Sequence, residues 1–212
     1  MHISEGVLSG PVLLSGMALT AAGTAVGLKK LDYDRIARAG MLSAAFFVAS
    51  LIHVPIGPAS VHLILNGVVG LLLGWGAVPA IGVALLLQGV IFQFGGLTTL
   101  GVNTVIMALP AVVCHYLFKP LLWKKPAIAF GAAFACGSLS VLLGTVIAGL
   151  SLIFTEENFF EIALILAGAH LPVIVIEGFI TAFSIGFIRK VQPEMLPGYS
   201  ESMQHRLRGK EE

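Results

Sequence analysis

The charged residues of this chain stand in a few clusters, and the runs between them are almost wholly apolar. The run from Val61 to Phe94 carries no Asp, Glu, Lys or Arg over more than thirty residues. As one helix, at about 1.5 Å per residue, it would exceed the roughly 30 Å hydrocarbon core of a bilayer. A soluble domain carries about 25% charged residues, whereas this chain of 212 has 11%, with 57% hydrophobic residues and a mean hydropathy of +0.97. The composition therefore implies an all-α, polytopic membrane helix bundle that leaves no room for a soluble domain.

Reading apolar windows between charge and Pro/Gly punctuation gives seven expected transmembrane helices, near 6–28, 36–54, 60–75, 77–94, 101–118, 127–153 and 162–188. Gly74, Trp75, Gly76 and Pro79 divide the third from the fourth. Cytoplasmic loops carry an excess of Lys and Arg. With the N-terminus outside and the C-terminus inside, all 12 basic residues, from Lys29 and Lys30 through Lys119 to Lys210, lie inside. The outside segments then hold only Glu5, Glu156, Glu157 and Glu161. Residues 1–190 read as one transmembrane domain and 191–212 as a flexible cytoplasmic tail. Met1 is expected to start the mature chain, because no basic n-region precedes the first apolar run and His2 is too large for methionine removal.

Polar groups within spans are costly and tend to mark function. Here they are His53, His62, Asn66, Gln88, Gln93, Asn103, His115, His170 and Glu177. The expected topology puts His53 and His62 at the outer face, on the same side as the amine of Met1 and the ring of His2. The α-amine, the His2 amide nitrogen and His2 Nδ1 can close a five-membered and a six-membered ring around one cation, and one more imidazole completes a square. Planar nitrogen coordination suits Ni(II) or Cu(II), while zinc prefers a tetrahedron and Ca or Mg prefers oxygen. Residues 1–5 reach at most about 17 Å, enough to fold into a pocket among the helices.

His170 and Glu177 lie about 10 Å apart along one helix and share a face. They could form a buried structural network or serve a stand-alone proton-coupled metal carrier as a relay. Cys114 and Cys136 lie in apolar runs and receive no role. There is no G-x-x-x-x-G-K-[ST] sequence, so the chain carries no P-loop, and no H-E-x-x-H zinc helix. A membrane metallohydrolase using His53, His62 and Glu177 therefore has little in its favour, and the chain is read as no enzyme. Nothing points to nucleic acid.

Four separated segments resemble the CbiM/NikM family, the cobalt- and nickel-specific S components of energy-coupling factor (ECF) importers. They are Met1-His2-Ile3-Ser4-Glu5-Gly6, Ser60-Val61-His62, the loop from Gly95 through Leu97, Thr98, Thr99 and Leu100 to Asn103, and His170-Leu171-Pro172 to Glu177-Gly178. The resemblance implies Co2+ or Ni2+ as transported substrate, held by the amine of Met1, the amide and imidazole of His2, and His62. Thr98 and Asn103 would orient those ligands. The residues after His62, Leu63-Ile64-Leu65, depart from the Ser/Thr/Gly-rich form of many relatives, so His53 stands as an alternative or additional ligand. The resemblance also implies a transmembrane T component, two ABC-type ATPase subunits and a small accessory membrane subunit as partners in the cell membrane. By analogy, Ala37, Ala39, Gly40 and Ala44 would form the docking face.

Overall fold

The computed structural model describes residues 2–56 and 59–199, without the side chains at 33, 34, 53–56, 59–61 and 157. It is helical apart from one hairpin. The helices are α1 (Gly10–Lys30), α2 (Tyr33–Ala49), α3 (Asn66–Leu73), α4 (Ala77–Phe92), α5 (Leu100–Phe118), α6 (Pro126–Ile153) and α7 (Phe160–Val191). Strands β1 (His53–Ile56) and β2 (Ala59–His62) pair antiparallel between α2 and α3, with His53 opposite His62. The chain is thus a multi-pass membrane protein: among the described residues five helical stretches, Gly10–Lys30, Asn66–Phe92, Leu100–Leu121, Pro126–Ile153 and Phe160–Val191, are long and apolar enough to cross a bilayer.

Asn66–Phe92 is not one rod. Asn66 donates from Nδ2 to the Met107 carbonyl at 3.3 Å, Gly70 lies against Ala111, and Gly74 against the His115 ring. Each step of four residues on α3 meets a step of four on α5, so the two helices run parallel. Gly76 then abuts Leu31 at the end of α1, and Gly82 approaches Thr104 near the start of α5, so α4 runs back. Gly74, at φ +56° and ψ −123°, makes the reversal, a conformation open to glycine and strained for other residues. His115 secures it from α5: its Nδ1–H is shared between the Gly70 and Leu71 carbonyls at 3.1 and 3.0 Å, satisfying carbonyls orphaned at a helix end.

The second and third expected spans need correction. α2 stops at Ala49, and residues 53–56 and 59–62 form the hairpin where 36–54 and 60–75 were expected to be helical throughout. Pro55 and Pro58 disfavour helix in the residues before them, while Val54, Ile56 and Val61 suit extended chain. α3 has eight residues, about 12 Å of helix. It is buried on every side, and extended chain leads down to it. α1 begins at Gly10 rather than residue 6 because Pro11 sits in its first turn, leaving residues 2–9 to line the bundle.

Glycines set the central packing. Gly67 on α3 meets the Cα of Gly137 on α6, and Gly137 in turn meets the Glu177 carbonyl on α7. This close approach of backbones is the usual basis of helix association in lipid. Lys30, Arg35, Arg38 and Lys119 line one cavity, and Arg189 donates to the Lys124 carbonyl at 2.6 Å, so these basic residues gather at one end of the bundle. Glu5, Thr98 and the junction of Ser9 with Thr155 lie at the other. The start of the expected flexible tail is packed: Trp123 Nε1–H donates to the Pro197 carbonyl at 2.8 Å and Leu196 is buried. Residues 200–212 of that tail lie outside the described residues.

A Cβ at Gly70 would meet the Ala111 carbonyl at 2.5 Å, whereas one at Gly131 meets nothing within 4 Å. Gly70→Ala should destabilise the detergent-solubilised protein by about 1–3 kcal/mol, read as a lower Tm. Gly131→Ala should leave Tm unchanged or raise it slightly, since Ala is the better helix former by about 1 kcal/mol.

Candidate metal centre

Residues 2–6 enter the bundle without regular structure, so their backbone needs side-chain or loop partners at membrane depth. Asn103, at the first turn of α5, supplies two of them. Its Oδ1 accepts from the Ile3 amide at 3.0 Å and its Nδ2 donates to the Ile3 carbonyl at 3.1 Å. The same Nδ2 reaches Thr99 Oγ1 at 3.2 Å, which orients the amide. The Glu5 amide donates to the Gly95 carbonyl at 3.1 Å, and the Glu5 carboxylate accepts from the Thr98 amide at 3.0 Å and its hydroxyl at 3.4 Å. Gly96, at φ +144°, has the Glu5 side chain where a Cβ would stand, so the segment can lie down only on glycine.

This clamp aims His2 inward. Its Nε2 meets Gln88 Oε1 near the end of α4 at 2.8 Å, and its Nδ1 meets His62 Nε2 at 3.0 Å. The two rings lie with centroids 4.7 Å apart, and Phe94 flanks His2. His62 Nδ1 faces the Leu63 carbonyl at 2.8 Å.

The Leu63 carbonyl only accepts, so His62 carries its proton on Nδ1; with Gln88 Oε1 turned to it, His2 carries its proton on Nε2, an arrangement that leaves Gln88 Nε2 without a partner among the described residues. His2 Nδ1 and His62 Nε2 then turn lone pairs toward each other. Burial opposes resolving this by protonation and pushes His2 down to about 3. Two neutral imidazoles with facing lone pairs, each donating its other N–H to an oxygen, form half of a nitrogen site for a cation.

His62 is held in turn by α7. The Glu177 carboxylate, fully buried, accepts from the backbone amides of Ile64 and Leu65, the latter at 3.0 and 3.1 Å. Leu65 lies in the left-handed region at φ +55° and starts α3. The carboxylate thus satisfies the N–H groups just where extended chain becomes helix, and its charge favours that helix start. Engaged there, Glu177 makes no hydrogen bond to His170, whose Nδ1–H donates to the Leu166 carbonyl at 2.7 Å.

The structure therefore brings together His2, His62 and Asn103, with Thr98 positioned behind Glu5 rather than against the imidazoles. Met1 and the His53 side chain lie outside the described residues, although the His53 backbone pairs with that of His62. Among the described residues no three His, Cys, Asp or Glu side chains converge to hold a metal, so further donors must come from backbone nitrogen or from undescribed groups. Sequence reasoning singled out Gln88 as a polar residue within a span without joining it to His2, and gave Glu177 no such anchoring role. The signal for Gln88 was a lone amide in the otherwise apolar run of α4, where it is completely buried.

The structure is thus a multi-pass helix bundle with a buried pair of imidazoles near one end. Residues 2–195 match the family model described as the cobalt uptake substrate-specific transmembrane region, CbiM. A Haemophilus influenzae protein named for metal transport is 42% identical over 92% of this chain and 97% of its own length. The cobalt transport protein CbiM of Kyrpidia tusciae is 32% identical over 92% and 86%. A crystal structure of a transition metal transporter superposes with a TM-score of 0.78 over 90% of this chain and 93% of that one, a likeness of fold at 23% identity. The chain belongs to the CbiM family, whose members are metal-transport components and not enzymes, with a metal ion as substrate.

Partners that orient metal-binding imidazoles are typically worth about 10–100-fold in affinity. Gln88→Leu and Asn103→Leu should each weaken Co2+ or Ni2+ binding by about that factor in isothermal titration, while the helical circular dichroism of the bundle stays unchanged.

Proposed function

We propose that this chain is the S component of an ECF importer, capturing Co2+ or Ni2+ at the extracytoplasmic face of the cell membrane. The observation that carries the reading is the 3.0 Å approach of His2 Nδ1 to His62 Nε2, lone pair to lone pair. Two nitrogens at neighbouring corners of a square, each about 2.0–2.1 Å from a metal, lie about 2.9 Å apart. Met1 and the backbone of His2 complete the set: amine, amide nitrogen and Nδ1 fill three successive corners, which leaves His62 Nε2 the corner beside Nδ1. His53 is a further ligand in this reading only if its ring enters the same space.

The positive-inside rule puts the basic end of the bundle in the cytoplasm and the imidazoles outside, and seven crossings follow if α3 with its extended lead-in counts as one. Glu5 at the outer end and the absence of Lys and Arg from the expected outer loops favour an arriving cation. Movement of the metal then falls to partners: a transmembrane T component, two ABC-type ATPases and a small accessory membrane subunit. On α2, Ala37, Gly40 and Ala44 are exposed along one face and suit close docking of the T component, whereas Ala39 is buried and drops out of it.

Inserting three Ala residues between Met1 and His2 separates the amine from the imidazole, so that the two no longer share fused chelate rings, but keeps every side chain. Binding of Co2+ and Ni2+ to the purified variant should fall at least about 100-fold, and undiminished binding would overturn the reading. Because both imidazoles are already neutral, the protons released on binding come from the amine and the amide. Titrations in buffers of different ionisation enthalpy at pH 7 should therefore show about two protons released. Proteoliposomes containing this chain alone should show no metal uptake, with or without a pH gradient.

A further inference from the structure

Lys30 closes α1, Arg35 and Arg38 share a face on the first turns of α2, and Lys119 follows α5. The cavity these four line, at the end of the bundle opposite the imidazoles, has a volume of about 610 Å³. The turn from Leu72 to Trp75 and the packed segment from Glu194 to Tyr199 complete its lining. At about 30 Å³ per water it would hold roughly twenty, so it admits a group much larger than a lone ion.

The charge in this cavity is unbalanced. Against the four cations, Glu194 is the one carboxylate among the described residues that line it. Arg38 and Lys119 are half-buried, and neither pairs with a carboxylate among the described residues. Arg35 reaches Asp32 at 3.9 Å, both of them exposed, and Lys30 lays its ammonium over the Trp75 ring, 5.7 Å from the centroid. A cleft lined by one sign of charge between low-dielectric walls concentrates the opposite sign. An anion seated here would relieve the repulsion among side chains that the fold has gathered.

Depth says what kind of anion. Both tryptophans and all three tyrosines of the chain stand at this end. Trp75, Tyr116 and Tyr199 line the cavity, Trp123 packs on Tyr199 with ring centroids 5.7 Å apart, and Tyr33 opens α2. Such residues gather at the level of lipid headgroups. Beside the cations in the chain, Leu28, Ile36 and Leu117 expose apolar side chains. A soluble anion or an acidic protein segment would use the charges alone, whereas a phospholipid uses both the charges and the apolar flanks.

We propose that this cavity binds the phosphate headgroup of an anionic phospholipid, held by Lys30, Arg38 and Lys119, with the acyl chains along the apolar residues beside them. Basic pockets between spanning helices take acidic headgroups in this way. Bound there, the lipid ties together the ends of α1, α2 and α5. The inference is independent of metal capture at the other end of the bundle.

The test uses the full purified chain in detergent, with phosphatidylglycerol, phosphatidylcholine or inorganic phosphate added and retained lipid counted by native mass spectrometry. One phosphatidylglycerol per chain should be retained, at least about ten-fold more tightly than phosphatidylcholine. Arg38→Gln with Lys119→Gln should weaken that retention by at least about ten-fold, at unchanged helical circular dichroism. Lys124→Gln with Lys125→Gln, which removes the same charge from the same end but outside the cavity, should leave retention nearly unchanged. Equal retention of the two lipids overturns the inference. So does an equal loss in the two double variants, which assigns retention to the general positive charge of this end. Displacement of the lipid by excess inorganic phosphate makes a free anion the occupant and overturns the lipid assignment. Should the first double variant not fold, Glu194→Gln decides: removing the carboxylate from the cavity should tighten retention, and no change or a loss overturns the inference.

Discussion

Inside a bilayer no backbone amide can be left without a partner, and this chain puts two non-helical segments at membrane depth. One is the N-terminal approach through Ile3, the other the passage from β2 into α3. Each is satisfied by a single buried side chain on a long helix: Asn103 takes both polar groups of Ile3, and Glu177 takes the amides of Ile64 and Leu65. These two anchors set where His2 and His62 hang. The polar residues that looked costly in the apolar spans are what let irregular backbone pack inside the bundle and bring the two imidazoles together.

The same logic governs the imidazoles. Gln88 and the Leu63 carbonyl each remove one proton position from consideration, and burial removes the charged form, so both rings present nitrogen rather than N–H to the same small space. In the proposed function, such a pair is preorganised for a cation and ill suited to an anion, and the repulsion between its lone pairs is relieved when a metal binds. At the opposite end, the Gly74 reversal and the His115 clip let a short helix occupy the centre of the bundle, so that α3 can be buried on all sides while α4 returns to deliver Gln88.

Much of this was legible from residue types. Long uncharged runs required a helical membrane bundle, Gly74 through Pro79 marked a turn, and His2 and His62, singled out from far-apart segments, do meet. Asn103 was singled out too, and the structure pairs it with the Ile3 backbone. The hairpin was missed because hydropathy does not distinguish a buried strand from a buried helix, although Pro55 and Pro58 carried the information. Gln88 was recognised as out of place but not connected to His2, since its partner lies 86 residues away. The engagement of Glu177 with backbone rather than with His170 had no sequence signal, because a carboxylate accepts equally well from either.

By itself the sequence determined that the chain is a helical bundle built for a bilayer and which polar residues stand within its apolar runs. Those follow from composition and local spacing, which act residue by residue. Only the tertiary structure decided which donors meet, which tautomers they hold and which side chains close the broken backbone. These depend on distances between segments far apart in the chain, and such distances are set by helix packing rather than by any local preference.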